Sequence, residues 1–304
     1  DSSIVASLSV RQIAALTTLQ FFELTSTTLK SLTPNQIVVI ETADVAVLTS
    51  NNIQALSIRQ LQALSTRQIA ALTTGQLSSL STSTLINLTA TQVKVLNAEK
   101  WNGLNTEKIA VLTGLQIAAL TTKQIAGLNT STVNAISTTA LKSLTGSQII
   151  ALTTQQVQNL STHSLKVLSA SQMGAFETRD IAVLNSNSIQ SLSNLQVQAL
   201  STKQLNALTP NQLVNLTTTT LNQLSASQWA GLGGRTINEL NTNTIAALST
   251  SLVAKLTINQ IALLSSSILG AIHTNAVAIL TPSQIEALST SQVSTLSTKT
   301  LNAL

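Results

Sequence analysis

The sequence is distinctive first for what it lacks. It has no cysteine and no tyrosine, only three prolines, and just 2% aromatic and 8% charged residues. Without cysteine there is neither a disulfide framework nor a thiolate metal site. Because apolar residues still make up 43% of the chain, a core is feasible, but it must be built from aliphatic side chains rather than rings.

Long apolar runs and dense charge are also missing. No stretch approaches the roughly 18 apolar residues that a membrane-spanning helix needs. The net charge of +5 comes from 15 basic and 10 acidic residues, which is a low charge density. A dedicated nucleic-acid-binding protein usually carries more Lys and Arg, gathered on one face. We therefore expect no transmembrane segment and no specific nucleic-acid partner.

What the sequence has in abundance is an eight-residue repeat. Cut every eight residues from Asp1, the chain divides into 38 octads without insertion or deletion. Numbered 1 to 8, their consensus is [S/T]-T-x-Q-[I/L/V]-x-A-L. Position 8 is Leu in 34 octads, position 5 is apolar in all 38, and position 4 is Gln in 19. Because the repeat keeps its eight-residue register along the whole chain, we expect each octad to be one structural unit.

The prolines reveal where helices begin. All three, Pro34, Pro210 and Pro282, stand at position 2 of their octads. Proline is tolerated at the first residue of a helix, because its missing N–H has no intrahelical partner there. Position 1 is then the N-cap, and Ser/Thr followed three residues later by Gln is a capping box. The position-8 residue of the preceding octad and the position-5 residue form a hydrophobic staple.

Each octad therefore predicts one very short helix, over positions 2 to 8 at most. Positions 5 and 8 are three residues apart and share a helix face, which we predict to form the core. A helix this short is unstable alone, so the octads must stack. We predict an all-α fold, an α-solenoid of 38 eight-residue repeats with one capped helix each. Residues 1–304 are expected to form a single continuous solenoid without separate domains.

A β-solenoid is the alternative architecture. Thr, Ile and Val suit strands, and two octads would make a 16-residue coil. Proline at position 2, Gln at position 4, Ala at position 7 and the scarcity of glycine favour the helical solution. The apolar residues also do not alternate strictly along the chain, as they would in a half-buried strand.

Larger blocks of the chain are duplicated. Leu24–Ser57 matches Leu160–Ser193, which lies 17 octads further along the chain. Even the irregular octads correspond, since Glu41 and Glu177 replace the usual capping residue in both blocks. We interpret these glutamates as carboxylates that interact favourably with helix N-termini.

The chain offers little for catalysis. Its two histidines, His163 and His273, are far apart in the sequence, and no metalloprotease, serine-hydrolase or phosphate-loop motif is present. Trp101 and Trp229 occupy position 5 and are predicted to be core residues rather than platforms for sugar rings. We predict that the protein is not an enzyme and has no cofactor, no catalytic residue and no metal site.

The candidate contact surface is sparse and basic. Eight of the 15 basic residues stand at position 3, which the helix register places outward. They are Arg11, Arg59, Arg67, Lys123, Arg179, Lys203, Arg235 and Lys299. Such residues suit an anionic polysaccharide, a membrane or nucleic acid, whereas solubility is the simpler interpretation. The regular Ser and Thr rows at positions 1 and 2 cap helices, and they also suit ice binding or O-glycosylation.

Two resemblances bear on function. LTPNQIVVI, residues 32–40, is similar over nine residues to the first helix of the repeat in transcription activator-like effectors. Eight residues cannot hold that family's base-reading loop and second helix, so no DNA-reading residue is carried over. The whole chain resembles the octapeptide tandem arrays, L-[ST]-[ST]-x-Q-[IVL]-x-A, of very large surface or secreted proteins of Gram-negative bacteria. That resemblance implies an extracellular or cell-surface location and a structural role.

We therefore expect a structural protein, a rod or fibre-forming segment of a bacterial extracellular filament, matrix or adhesin stalk. Asp1–Leu8 and Ser297–Leu304 still follow the repeat, and uncapped solenoid ends expose apolar faces. The expected partners are other copies, joined head to tail or laterally, with polysaccharide or a cell surface as a further candidate. The alternatives are a binding module whose surface grips a glycan, protein or nucleic acid, and an ice-binding surface.

Overall fold

Each octad forms one short helix. The computed structural model describes residues 2–304, apart from the side chains of Ser2 and Arg235. This described part contains 38 helices of four to six residues and no strand. The predicted all-α solenoid is confirmed, and the β-solenoid alternative has no support.

The helices are numbered in chain order. The first twenty are α1 Ser2–Ala6, α2 Val10–Ala14, α3 Thr18–Glu23, α4 Ser26–Ser31, α5 Pro34–Ile37, α6 Thr42–Val47, α7 Ser50–Ala55, α8 Ile58–Ala63, α9 Thr66–Ala71, α10 Thr74–Ser79, α11 Thr82–Leu85, α12 Ala90–Val95, α13 Ala98–Asn102, α14 Thr106–Ala110, α15 Gly114–Ala119, α16 Thr122–Gly127, α17 Thr130–Ala135, α18 Thr138–Leu141, α19 Gly146–Ile150 and α20 Thr154–Gln158. The others are α21 Thr162–Val167, α22 Ala170–Gly174, α23 Thr178–Ala182, α24 Ser186–Gln190, α25 Asn194–Gln198, α26 Thr202–Asn206, α27 Pro210–Leu213, α28 Thr218–Asn222, α29 Ala226–Gly231, α30 Gly234–Asn238, α31 Thr242–Ala246, α32 Thr250–Val253, α33 Ile258–Leu263, α34 Ser266–Ala271, α35 Thr274–Val277, α36 Pro282–Glu286, α37 Thr290–Ser294 and α38 Thr298–Leu301.

Helices begin where the repeat predicts. Ser65, the N-cap of α9, is extended, with φ −64° and ψ 161°. Its hydroxyl accepts from the Gln68 backbone N–H at 3.3 Å, and Gln68 Oε1 accepts from the Ser65 backbone N–H at 2.7 Å. This reciprocal pair is the predicted capping box. The three prolines, Pro34, Pro210 and Pro282, are the first residues of α5, α27 and α36.

Helices end because the chain runs directly into the next cap. Leu72, after α9, returns to an extended backbone with φ −54° and ψ 132° while its N–H still donates to Ile69 O at 3.3 Å. No described residue has a positive φ. The left-handed conformation that often ends helices is therefore not used, which explains how the fold forms with only ten glycines.

Within each unit, helices pack against the helix three octads further on. In the first half of the chain α3 contacts α6, α6 contacts α9 and α9 contacts α12, and in the second half α22 contacts α25 and α30 contacts α33. About three octads therefore make one turn of the solenoid. The chain divides into two compact units, residues 1–160 and 161–304, and each winds in this way. The single continuous solenoid stays a prediction.

Positions 5 and 8 form the core of both units. From Ile13 to Val277, every side chain at position 5 is at most 2% exposed. Trp101 and Trp229 are buried within this row, as predicted, and their indole Nε1 atoms have no hydrogen-bond partner among the described residues. The core therefore consists of two rows of apolar side chains, those at positions 5 and 8, and the short helices enclose it.

Within residues 2–304, no helix combines the length and the apolar character that a bilayer span requires.

Candidate functional site

The most informative contacts lie between successive turns, and the glutamine at position 4 makes them. Gln68 Nε2 donates to Ile37 O at 2.9 Å and to Ile40 O at 2.8 Å. These carbonyls belong to positions 5 and 8 of the octad four places earlier. Since Gln68 Oε1 caps its own helix, one side chain starts a helix and also secures the preceding turn.

The same arrangement recurs through both units, and we name it the glutamine ladder. In its members, Nε2 donates to a carbonyl 28 residues earlier in the chain. They are Gln36, Gln60, Gln68, Gln76, Gln92, Gln116, Gln124, Gln148, Gln156, Gln196, Gln204, Gln212, Gln228, Gln260, Gln284 and Gln292. All of these side chains are buried. A buried amide that lost its partners would carry a desolvation penalty, so the ladder specifies how the turns stack.

Backbone hydrogen bonds do not join the turns. Within each described unit, backbone–backbone hydrogen bonds connect residues no more than four positions apart. Turn-to-turn hydrogen bonding therefore depends on side chains, unlike the ladder of a β-sheet. This dependence makes the identity of a few polar positions decisive for the fold.

Other donors replace glutamine at position 4. The ammonium groups of Lys100 and Lys108 donate to Ala70 O and Ser78 O, and Asn52 Nδ2 donates to Leu24 O at 2.9 Å. Burial lowers the pKa of Lys100 below its usual value, while the neighbouring Glu99 carboxylate opposes part of that shift. In these three octads position 4 still donates to the preceding turn, although its residue is not glutamine.

Asparagine at position 6 adds a second set of turn-to-turn bonds. Asn238 Nδ2 donates to Leu263 O at 2.7 Å, and Asn238 Oδ1 accepts from the Ser265 backbone N–H at 2.7 Å. Asn102, Asn206 and Asn222 make the same pair of bonds. The partners lie 25 and 27 residues further along the chain. Each such asparagine therefore links its helix to the next turn.

The basic residues predicted at the surface lie there. Arg11, Arg59, Arg67, Lys123, Arg179, Lys203 and Lys299 are all exposed, and the side chain of Arg235 lies outside the described residues. The winding brings Arg179 and Lys203 onto the stacked helices α23 and α26. Arg179 also forms an ion pair with Glu177. Arg59 and Arg67 lie on consecutive helices, α8 and α9, rather than on stacked ones.

The histidines lie in separate surroundings. His163 is exposed on α21, and His273 is the N-cap of α35. His273 Nδ1 accepts from the Asn275 backbone N–H at 3.2 Å, so this imidazole substitutes for a capping hydroxyl. Among the described residues, no three His, Cys, Asp or Glu side chains are grouped in a way that would hold a metal ion.

The acidic pairs fall at helix starts. Glu41 and Glu177 are the N-caps of α6 and α23, with Asp44 and Asp180 at the third helical position. Asp180 Oδ2 accepts from the Glu177 backbone N–H at 3.2 Å, which copies half of the glutamine capping box. Both aspartates are buried, at 4% and 0% exposure. This placement matches the helix-terminal role expected from the sequence.

The sequence did not lead us to predict that the glutamine at position 4 also donates from Nε2 to the preceding turn. The capping box explains Oε1 of the glutamine but leaves Nε2 unassigned. One signal was available: a capping box accepts Glu as readily as Gln, yet position 4 is Gln in 19 octads and Glu in none. A requirement for the amide donor accounts for this bias. The asparagines at position 6 gave no comparable signal, because that position varies.

The repeated octads, the stacked helices and the glutamine ladder define a tandem-repeat protein of the α-solenoid class. The ALTTAQ repeat family model matches residues 37–74 and 173–210, together about a quarter of the chain. These segments begin 17 octads apart, which is the offset between Leu24–Ser57 and Leu160–Ser193. No curated protein matches the chain.

Proposed function

We propose that the protein is structural: a rod or fibre-forming segment of a bacterial extracellular filament, matrix or adhesin stalk that associates with copies of itself. The glutamine ladder carries this proposal. Each glutamine of the ladder donates to carbonyls of the turn before it, as Gln68 does to Ile37 and Ile40. Such a solenoid has no preferred length, because every added turn is held by its neighbour in the same way.

The distribution of stabilising contacts supports a mechanical role. In each unit the octads contribute apolar side chains to the core, and the polar turn-to-turn contacts are spread along both units. In repeat proteins of this kind stability is a sum of nearest-neighbour terms. A local disturbance then costs the contacts of adjacent turns and leaves distant turns intact. We propose this tolerance as the property that a stalk or matrix element uses.

The location is part of the proposal. The octads resemble arrays in large surface or secreted proteins of Gram-negative bacteria, and the ALTTAQ matches support a tandem-repeat origin. Ser and Thr rows with few charges give an outer surface that is polar without strong electrostatic attraction to any one partner. We propose an extracellular or cell-surface position.

Electron microscopy of the purified chain over a concentration series tests the fibre proposal. Self-association predicts filaments whose mean length grows with protein concentration. Particles of one short length at every concentration, with a monomer mass in solution, would contradict it.

Anionic polysaccharide is the second candidate partner. Arg179 and Lys203 lie exposed on stacked helices of the second unit, and a cleft of about 380 Å³ lies beside Lys203. Binding of a sulfated or carboxylated polysaccharide by these residues should weaken steeply with salt. We would measure retention on immobilised heparin and on uncharged dextran, with Lys203→Gln as the variant and Lys123→Gln as its matched control. Equal retention of both variants would contradict a site at Lys203.

A further inference from the structure

An open cleft between successive turns of the second unit has a charged and polar lining. Its volume is about 380 Å³, and Glu177, Thr178 and Lys203 are among the residues that line it. The side chains of Thr178 and Lys203 are exposed to solvent. Sites for small ligands span roughly 300–1,000 Å³. The cleft is at the small end of that range, so it suits one sugar unit rather than a long segment of a polymer.

The glutamine ladder holds the floor of this cleft in place. Gln204 Nε2 donates to Phe176 O at 2.6 Å, and Gln204 Oε1 accepts from the Ser201 backbone N–H at 2.7 Å. All three residues line the cleft. Because the ladder fixes the two sides relative to each other, the cleft is formed before a ligand arrives, and binding need not order the backbone.

The first unit contains a counterpart of the cleft, with a volume of about 330 Å³. Seven of the eight residues that line the second-unit cleft stand 88 residues, or 11 octads, after a residue that lines the first-unit cleft. The repeat therefore builds the same kind of cleft in both units. Its chemistry depends on which residues occupy the lining positions.

Two of these positions give the clefts different chemistry. Lys203 corresponds to Leu115 of the first-unit cleft, and Glu177 corresponds to Thr89. None of the described residues that line the first-unit cleft is charged. The second-unit cleft thus adds one ammonium group and one carboxylate to a frame that both units share.

The charges around the second-unit cleft leave one cation without a partner. Glu177 Oε2 forms an ion pair with Arg179, whereas Lys203 forms none with a described residue. These three side chains together carry a net charge of +1. The cleft is therefore matched to a ligand with a single anionic group, because a second anionic group would lie close to the Glu177 carboxylate and be repelled.

We propose that this cleft binds one carboxylated sugar unit, a uronic acid residue of an anionic polysaccharide. The sugar carboxylate accepts from the Lys203 ammonium group, and ring hydroxyls donate to the Glu177 carboxylate oxygen that Arg179 leaves free. Bonds of this kind are stronger than those between neutral groups, because one partner is charged. The site rests on the polysaccharide candidate proposed above and specifies the sugar: a carboxylated ring is preferred to a densely sulfated one.

Replacing Lys203 with Leu tests the site, because it gives the cleft the residue of its first-unit counterpart. The matched control is Lys123→Leu, the same change at another exposed position 3. The probe is the trimer of galacturonic acid, titrated against the full chain and followed by saturation-transfer NMR. We expect Kd to rise about tenfold for Lys203→Leu and to keep its wild-type value for Lys123→Leu. Thermal unfolding should be the same for both variants, since both lysines are exposed.

Equal binding of the trimer to the two variants would overturn the site. The polysaccharide candidate would survive that result if the wild-type chain still bound polygalacturonate or heparin. A wild-type chain that binds neither polymer nor the trimer would overturn both proposals. The fibre proposal does not depend on either outcome.

Replacing Glu177 with Thr tests the preference for a carboxylated sugar. Threonine is a good capping residue, so α23 should be retained, while Arg179 loses its ion pair and the cleft gains a second unpaired cation. We expect elution from immobilised heparin to need more salt and the galacturonic acid trimer to bind more weakly. Glu286→Thr, at an exposed position of the same unit, controls for net charge. The same shift in elution for both variants would contradict the selection by Glu177.

Discussion

Gln68 and Ile40 are joined by a 2.8 Å hydrogen bond from the side-chain amide of one to the backbone carbonyl of the other, across 28 residues of chain. The same side chain closes the capping box of its own helix with Ser65. Helix initiation and turn stacking are therefore coupled through a single residue. The coupling explains how helices of one turn, which would be unstable alone, persist in a long array.

Replacing Gln68 with Glu separates its two roles. The carboxylate still caps Ser65, but it lies buried against the carbonyls of Ile37 and Ile40. We expect the free energy of unfolding at pH 7 to fall by about 3 kcal/mol, as for a buried charge without a partner. Urea denaturation measures the change, and Gln54→Glu on the exposed surface is the matched control. A loss no larger than that of the control would contradict the ladder's role.

The same variant should respond to pH. Burial against carbonyls raises the pKa of the introduced carboxyl in the folded state above its unfolded value of about 4.3. The folded protein then binds the proton more tightly, so the variant is most stable below the unfolded pKa and loses stability as pH rises through the folded pKa. Denaturation at pH 4 and pH 7, compared with wild type, checks the sign. A variant whose deficit is the same at both values would refute the assigned burial.

Replacing Lys100 with Gln should stabilise the protein. An amide restores the consensus donor at position 4, which reaches the carbonyls of Ile69 and Leu72 by the ladder's spacing, and it carries no charge that partial burial would desolvate. We expect a gain of about 1 kcal/mol at pH 7, with Lys123→Gln at an exposed position as the control. Urea denaturation again gives the value, and a destabilised Lys100→Gln protein would show that the ammonium group contributes more than the consensus amide.

The lowered pKa of Lys100 predicts how the free energy of unfolding changes with pH. Its pKa is lowered from 10.5 in the folded state, so between the two values the unfolded chain binds more protons. Wild-type stability should therefore rise as pH approaches 10.5, through the contribution of this residue. The difference in unfolding free energy between wild type and Lys100→Gln should narrow from pH 7 to pH 10. A constant difference would count against the lowered pKa.

The bonds at position 6 predict a loss when Asn238 is replaced by Ala. Leu263 O and the Ser265 N–H would lose their partners on the neighbouring turn. We expect a cost of about 1–2 kcal/mol, measured by thermal unfolding. Asn243→Ala, at an exposed position 3 of the next octad, should change stability by less than about 0.5 kcal/mol. Equal effects at the two sites would contradict a turn-to-turn role for Asn238.

Two glycines give opposite predictions for the same substitution. A Cβ added at Gly174 would lie 2.8 Å from Ala199 O, whereas one at Gly270 would meet nothing within 4 Å. Gly174→Ala should therefore cost about 1–3 kcal/mol through forced backbone movement. Gly270→Ala, inside a helix with open space around it, should gain about 0.5–1 kcal/mol. Thermal unfolding of the pair checks both signs, and a stabilised Gly174→Ala protein would contradict the close approach of these turns.

Local signals made much of the fold predictable. The start of α9 follows from Ser65 and Gln68, and the burial of Trp101 follows from its position in the octad. The partners of Gln68 Nε2 were not predictable in this way. They lie 28 and 31 residues away, and their identity depends on how many octads make a turn. The repeat looks the same for any number of octads per turn, so that number had to come from the packing of the helices.

For the basic surface residues, exposure was predictable from the sequence and their neighbours in space were not. The register predicts that position 3 is outward, and the arginines and lysines described there are exposed. Which of them become neighbours depends again on the winding. Arg179 and Lys203 are three octads apart and lie on stacked helices, while Arg59 and Arg67, only one octad apart, lie on consecutive ones.

A crystal structure of the purified chain tests the central claim most directly, namely that the glutamine at position 4 ties each turn of the solenoid to the turn before it. The account predicts that Gln68 Nε2 lies within hydrogen-bond distance of Ile37 O and Ile40 O, and that the other members of the glutamine ladder make corresponding bonds within each unit. Amides at position 4 that point into solvent would contradict it.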